Sequence, residues 1–235
     1  MIEFKNITKK FGKLQVLEQV DLSINKPGIY AILGPNGSGK TTLIKCLLGM
    51  TIPTSGQIFV DGQDTKGKWE FRNQISYLPQ IANFPKNMTV TELLRLIKTL
   101  RNQASAEQPL IDVFGLKPYL NKNMGTLSGG TKQKVNLVLA LMTDNPIVIL
   151  DEPTSGLDPL ALLELKKLIK IEKEKGKTIL ITSHIMSLVE ELSDEIVFLL
   201  EGKIHFRGTV DALKTKTQTV DFDEAIAQIL KPSHV

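Results

Sequence analysis

Apolar and polar residues alternate over 2–8 and again over 16–24, where Val20, Leu22 and Ile24 point one way and Asp21 and Ser23 the other. A period of two is the signature of strands buried on one face. Phe11-Gly12-Lys13 reads as the turn between them. The pattern changes at Gly28–Leu33, a continuous apolar run expected of a fully buried strand. It changes again at Lys40–Leu48, where Leu43, Ile44, Leu47 and Leu48 fall at helical spacing ahead of Gly49. Gln57–Val60 with Asp61-Gly62 predicts a strand and a tight turn, and Ile75–Pro79 a strand stopped by its proline. Thr89 or Thr91 caps a helix reaching about Arg101, with Leu93, Leu94, Ile97 and Leu100 on its apolar face. A second helix covers about Ala106 to Phe114 and ends at Gly115. Farther on, Ile147–Leu150 and Thr178–Thr182 read as buried strands on either side of a helix from Pro159 to about Lys175. A helix over about Met186–Leu192, strands at 195–200 and 203–206 around Glu201-Gly202, a short helix near 209–214, a polar stretch Lys214–Thr219 and a helix Phe222–Leu230 complete the chain.

This rhythm predicts an α/β fold whose core is a parallel sheet flanked by helices. The leading strands form a small antiparallel β layer, and residues 85–145 form an inserted helical region. No internal repeat is visible. The expected organisation is one domain over 1–235, with a core of 1–84 and 146–208, a helical subdomain of 85–145 and a tail of 209–235.

The junction between the Gly28–Leu33 strand and the following helix carries the first chemistry. Gly34-Pro35-Asn36-Gly37-Ser38-Gly39-Lys40-Thr41-Thr42 fits G-x-x-x-x-G-K-[ST], the phosphate-binding P-loop, in the strand–loop–helix context the motif needs. Its glycines let backbone N–H groups turn toward a polyphosphate, and the helix N-terminus adds partial positive charge. Lys40 is expected to reach the β- and γ-phosphates, and the Thr41 hydroxyl to bind Mg²⁺. Asp151 and Glu152 close the apolar strand 147–150. An acid at such a strand end holds Mg²⁺ in P-loop proteins, and the second acid is placed to polarise a water for attack on the γ-phosphate.

Bulk properties narrow the setting. The formal charge of the 235 residues is only +4, and the densest basic run, Lys166–Lys177, alternates with acids on a predicted helix. That is read as a solvated face, and no nucleic-acid partner is expected. The single cysteine, Cys46, excludes an internal disulfide and reads as a small buried residue of the P-loop helix. No apolar run approaches the ~20 residues that cross a bilayer, and Met1–Lys5 is not a signal peptide. The expectation is a cytoplasmic protein, with any membrane-spanning part supplied by other polypeptides.

Leu127-Ser128-Gly129-Gly130-Thr131-Lys132-Gln133 precedes a helical run and alone could be a serine cap with flexible glycines. Taken in order, the P-loop, Gln80, Leu127–Gly130, Asp151-Glu152, Ser155-Gly156-Leu157-Asp158 and His184 resemble the ATPase subunit of an ABC transporter over nearly the whole chain. The resemblance implies a P-loop NTPase core, and ATP and Mg²⁺ as ligands. It implies that Phe11 stacks on adenine and that Gln80 contacts Mg²⁺ or the attacking water and reports nucleotide state. Ser128, Gly129 and Gly130 then contact the γ-phosphate held by a second copy, and Asp158 links the two sites. Asp151 serves the metal, while Glu152 is the catalytic base and His184 holds it in register with the γ-phosphate. The signature departs from the usual pattern at Thr131, where the family has Gln. His205 and His234 match no motif and read as surface residues.

The resemblance further implies a head-to-tail dimer powering a separate permease, with the chain peripheral on the inner face of the cell membrane. The segment Ile81–Met88 is the candidate docking loop, in which Phe84 and Met88 either line a groove or anchor the domain. The compact cassette and the tail Asp221–Ala225 are similar to exporter-type ATPases, and the Ser-Gly-Gly-Thr-Lys-Gln signature is similar to copper-site-assembly ATPases of nitrous oxide reductase maturation. A soluble ABC ATPase acting on ribosomes or DNA is the alternative. It is disfavoured by the single cassette and the lack of sustained heptads. Leu127–Gly130 argues against a P-loop kinase or GTPase.

Overall fold

A computed structural model describes residues 1–230, so His234 lies outside the described residues. The chain divides into two compact units, Met1–Arg72 with 182–230, and Asn73–Ile181.

The first unit opens on β1 (Ile2–Phe11) and β2 (Leu14–Ile24), an antiparallel pair that registers Ile2 with Ile24 and Phe4 with Leu22. The turn is narrower than expected: Phe11 still pairs with Leu14, leaving Gly12-Lys13 as the reversal. β4 (Ser55–Val60) and the two-residue β5 (Gln63–Asp64) extend the layer in the order β2-β1-β4-β5. The alternation in the sequence is realised as burial, with Val20, Leu22 and Ile24 buried and Asp21 exposed. This is the antiparallel layer that the leading strands predict.

β3 (Gly28–Leu33) is buried along its whole length. It runs parallel to β9 (Glu195–Leu200), which returns antiparallel as β10 (Lys203–Gly208). Glu201 and Gly202 both have positive φ, 47° and 76°, as a tight two-residue hairpin requires. α6 (Met186–Leu192), α7 (Val210–Thr217) and α8 (Phe222–Leu230) pack on this sheet around Ala31, Leu33, Ile196, Phe198, Leu213 and Phe222. The acidic-aromatic tail segment thus has a packing role: Phe222 is buried, and Asp221 caps α8 through the Glu224 N–H at 2.9 Å.

The second unit contains β6 (Ile75–Leu78), β7 (Ile147–Asp151) and β8 (Thr178–Thr182) in the order β8-β7-β6, with β6 and β7 parallel from Ile75–Ile147 to Leu78–Leu150. Between β6 and β7 lie three α-helices, α2 (Val90–Arg101), α3 (Glu107–Val113) and α4 (Gly129–Leu141). α5 (Pro159–Glu174) connects β7 to β8. The run Lys166–Lys177 is not wholly the solvated face expected. Glu172 and Lys177 are buried and ion-paired with each other, and Lys177 also reaches Asp144 at 2.7 Å. At the end of α5 the chain turns inward toward β8, so Glu172 and Lys177 leave water as a compensated pair while Asp144 stays exposed.

Thr89, not Thr91, caps α2. Thr89 Oγ1 accepts from Glu92 N at 3.2 Å and the Glu92 carboxylate accepts from Thr89 N at 2.8 Å, a reciprocal capping box. Thr91 instead donates its hydroxyl to the Leu120 carbonyl at 3.0 Å. Thr89→Ala is expected to lower stability by ~1 kcal/mol, read as a lower urea midpoint with an unchanged denaturant slope.

Candidate nucleotide-binding site

In the first unit the loop after β3 wraps toward α1 (Lys40–Leu47). Gly34 has φ 146°, and a Cβ there would collide with the Leu199 carbonyl oxygen and lie 2.7 Å from Ser38 Oγ. Only glycine fits that approach. The loop is braced from behind, because Gly202 N donates to Ser38 O at 3.2 Å and Glu18 N donates to Gly202 O at 2.9 Å. The β9–β10 hairpin thereby fixes a loop far away in sequence. α1 starts with no acidic residue in its first turn, which keeps its N-terminal field available to an anion.

Lys40 is buried, and its ammonium donates to the carbonyls of Gly34 at 2.7 Å and Pro35 at 3.0 Å. Asn36 and Gly37 are exposed, and Thr41 and Thr42 are half-buried. Ser38 Oγ is buried with no hydrogen-bond partner among the described residues. A buried hydroxyl in that state suits a loop that receives polar ligand atoms. Phe11 is 51% exposed, and the Lys9 ammonium sits 4.7 Å from its ring centroid. The aromatic is therefore held in place by a cation–π contact while remaining accessible to a flat partner. His184 follows β8 and is exposed, as is His205 on β10.

A cavity of about 650 Å³ in the same unit lies at the other end of α1, lined by Cys46, Ile52, Ile58, Trp69 and Arg72, and contains none of the predicted site residues. Cys46 is buried and its thiol is pushed up to about 11 by that burial, so it is inert at neutral pH.

The second unit groups the remaining candidates. Asp151 ends β7 and Glu152 follows it, both buried. Glu152 has φ 52°, a left-handed conformation that costs a non-glycine residue of order 1 kcal/mol or more. Strain of this kind aims a side chain where an extended continuation of the strand would not. The Tyr77 phenol is pushed up to about 12 by burial and then by the Asp151 carboxylate, so it stays a neutral hydroxyl beside that acid. Gln80 is exposed just past β6, and Asn136 Nδ2 on α4 donates to the neighbouring Pro79 carbonyl at 3.3 Å.

Ser128 caps α4. Its Oγ accepts from Thr131 N at 3.3 Å and lies 2.9 Å from Thr131 Oγ1. Thr131, the departure from the family pattern, thus joins the cap itself. Ser128 and Gly129 are exposed at the start of a helix whose first turn carries no acid. Asp158 caps α5 by accepting from Ala161 N at 2.8 Å, and Lys134 holds its carboxyl below the usual range. The sequence reading gave no individual role to Tyr77, Gln133, Lys134 or Asn136, although Gln133 closes the Leu127–Gln133 stretch. For Lys134 a signal was present, since it lies four residues beyond Gly130 and so on the same helix face.

No group of three or more His, Cys, Asp or Glu side chains able to hold a metal occurs among the described residues. Each residue expected to serve Mg²⁺, Thr41, Gln80 and Asp151, offers an oxygen donor, the ligand type that ion takes alongside waters and phosphate oxygens.

Comparison with known proteins agrees with this chemistry. The family model described as ABC transporter matches residues 17–155. The chain is 36% identical over 208 residues to the lantibiotic transport ATP-binding protein SrtF of Streptococcus pyogenes, covering 87% of this chain and 89% of that one. It is 34% identical to the bacitracin transport ATP-binding protein BcrA of Bacillus licheniformis, covering 93% and 72%. Among solved structures, an ATP-binding subunit of an ABC transporter superposes with a TM-score of 0.92 at 31% identity over 98% of this chain and 100% of that one. A dimeric ATP-binding cassette in a post-hydrolysis state with ADP and Pi gives 0.80 at 25% identity, covering 89% and 98%.

Proposed function

Because the chain belongs to the ABC transporter ATP-binding family, we propose that it binds and hydrolyses ATP in a head-to-tail dimer that powers a separate membrane permease of exporter type. One observation carries the two-subunit reading. Among its acid-free helix N-termini, two have glycine at the cap or in the first turn: that of α1 behind the P-loop and that of α4 behind exposed Ser128 and Gly129. Each can bind phosphate oxygens through backbone N–H groups. In the proposed dimer the first serves the bound ATP of its own subunit and the second closes over the γ-phosphate held by the partner.

Phe11 stacks on the base, Gly34–Thr42 wrap the triphosphate, and the Lys40 ammonium exchanges its loop carbonyls for phosphate oxygens. Thr41 and Asp151, with Gln80, would hold Mg²⁺, which supplies neutralisation of phosphoryl charge. Glu152 orients the attacking water and takes its proton, and His184 positions that group against the γ-phosphate. Asp158 communicates between the sites. Loss of the γ-phosphate removes contacts that only the closed dimer makes, so the interface opens and the permease feels the change. The core of 1–84 and 146–208, the helical subdomain of 85–145 and the tail of 209–235 are the parts proposed to move or anchor in that cycle. The 81–88 loop, with Ile81 75% exposed, is the proposed contact with the permease. The described residues contain no helix long and apolar enough to cross a membrane, and peripheral attachment through the permease follows on this reading.

Affinity purification from detergent-solubilised membranes tests the assignment. Recovery of an integral membrane subunit is expected, and recovery of ribosomes or DNA in its place would overturn it.

A further inference from the structure

Three contacts fasten one face of α4 to the loop that begins directly after Glu152. At Gly130 the backbones touch so closely that a Cβ would stand 2.6 Å from the Gly156 carbonyl oxygen. Gln133, a buried side chain, donates Nε2 to the Pro153 carbonyl at 3.0 Å. Lys134 Nζ meets Asp158 Oδ2 at 2.6 Å, while Asp158 Oδ1 caps α5. Positions 130, 133 and 134 share a helix face, so the serine-capped turn of α4 and the segment 153–158 form one clamped body within the unit.

The clamp matters because its two ends serve different ATP molecules if the head-to-tail reading of the preceding subsection holds. Glu152 works on the nucleotide of its own subunit, and Ser128 and Gly129 on the nucleotide of the partner. We propose that Lys134 is a positioning residue which, through its ion pair with Asp158, makes the signature turn and the segment following Glu152 move together and so couples the two ATP sites. The other two contacts involve backbone carbonyls and close packing and hold the fold. The Lys134–Asp158 pair is the charged, partly exposed contact of the three, with side chains 22% and 50% accessible, so it can be loosened without emptying a core.

The test follows ATP hydrolysis against ATP concentration for the full chain in membranes with its co-purified permease. Lys134→Met is expected to keep the thermal midpoint and to lose cooperativity, turning a sigmoidal dependence hyperbolic. Lys134→Arg is expected to restore it. Asp158→Asn keeps a capping oxygen for Ala161 N but not the charge, and should reproduce the loss. Combining it with Lys134→Met should add nothing, since both remove the same pair. A sigmoidal curve unchanged in Lys134→Met, or a loss that Lys134→Arg does not repair, would overturn the proposal while leaving the head-to-tail reading intact. A hyperbolic wild type whose Glu152→Gln form fails to dimerise with ATP would instead sink that reading, and this inference with it.

Discussion

Glu152→Gln is expected to lower steady-state ATP hydrolysis by ~10²–10⁴-fold, the range for loss of a positioned general base, while ATP binding is retained. The substitution preserves the side chain's shape and the left-handed backbone at φ 52°, so the buried pocket at the end of β7 is not refilled. It removes only the group that can take a proton. The phosphate loop, built on other residues, is untouched. The arrested protein should accumulate as an ATP-stabilised dimer, visible by size-exclusion chromatography with ATP in the column buffer. Near-normal turnover by this variant would remove Glu152 from the catalytic role.

Lys40→Ala should have the largest effect on binding. The ammonium is buried and hydrogen-bonded to the carbonyls of Gly34 and Pro35. On the proposed reading it trades those partners for phosphate oxygens. Removing it deletes a charge-assisted contact of ~2 kcal/mol, or about 30-fold in affinity, and leaves two carbonyls of the loop without their cation. Titration calorimetry with ATP checks the figure, and an unchanged dissociation constant would contradict the cradle assigned to 34–42.

Much of this is legible in the sequence alone, for identifiable reasons. The P-loop could be read because glycines at 34, 37 and 39 between a buried apolar run and an apolar helix leave the backbone few alternatives. The end of β7 could be read because four apolar residues followed by two acids mark where a buried strand gives way to charged chemistry. The alternation of 20–24 translated directly into burial. What escaped depends on distance or on backbone detail. The positive φ of Glu152 has no local signature, since glutamate is not a residue that favours αL. Lys134 and Asp158 are separated by 24 residues, and only the packing of α4 on the loop 153–158 brings them together. Lys177 read as one more solvated lysine until the α5–β8 turn placed it against Glu172 and Asp144. The choice between Thr89 and Thr91 had a local cue, the glutamate three residues after Thr89 that completes the capping box, while the Leu120 carbonyl that claims Thr91 comes from a later segment.

The central claim is that each hydrolytic site is shared between two copies, and a mixing experiment addresses it most directly. Lys40→Ala spoils the phosphate loop, and Ser128→Arg spoils the turn offered to the partner's nucleotide. Each purified variant alone should be inactive in ATP and magnesium. In a mixed dimer, however, the intact phosphate loop of the Ser128→Arg subunit faces the intact Ser128 of the Lys40→Ala subunit. Hydrolysis well above the sum of the two separate preparations is the predicted result. A mixture no more active than its components, despite demonstrated exchange of subunits, would contradict the shared site.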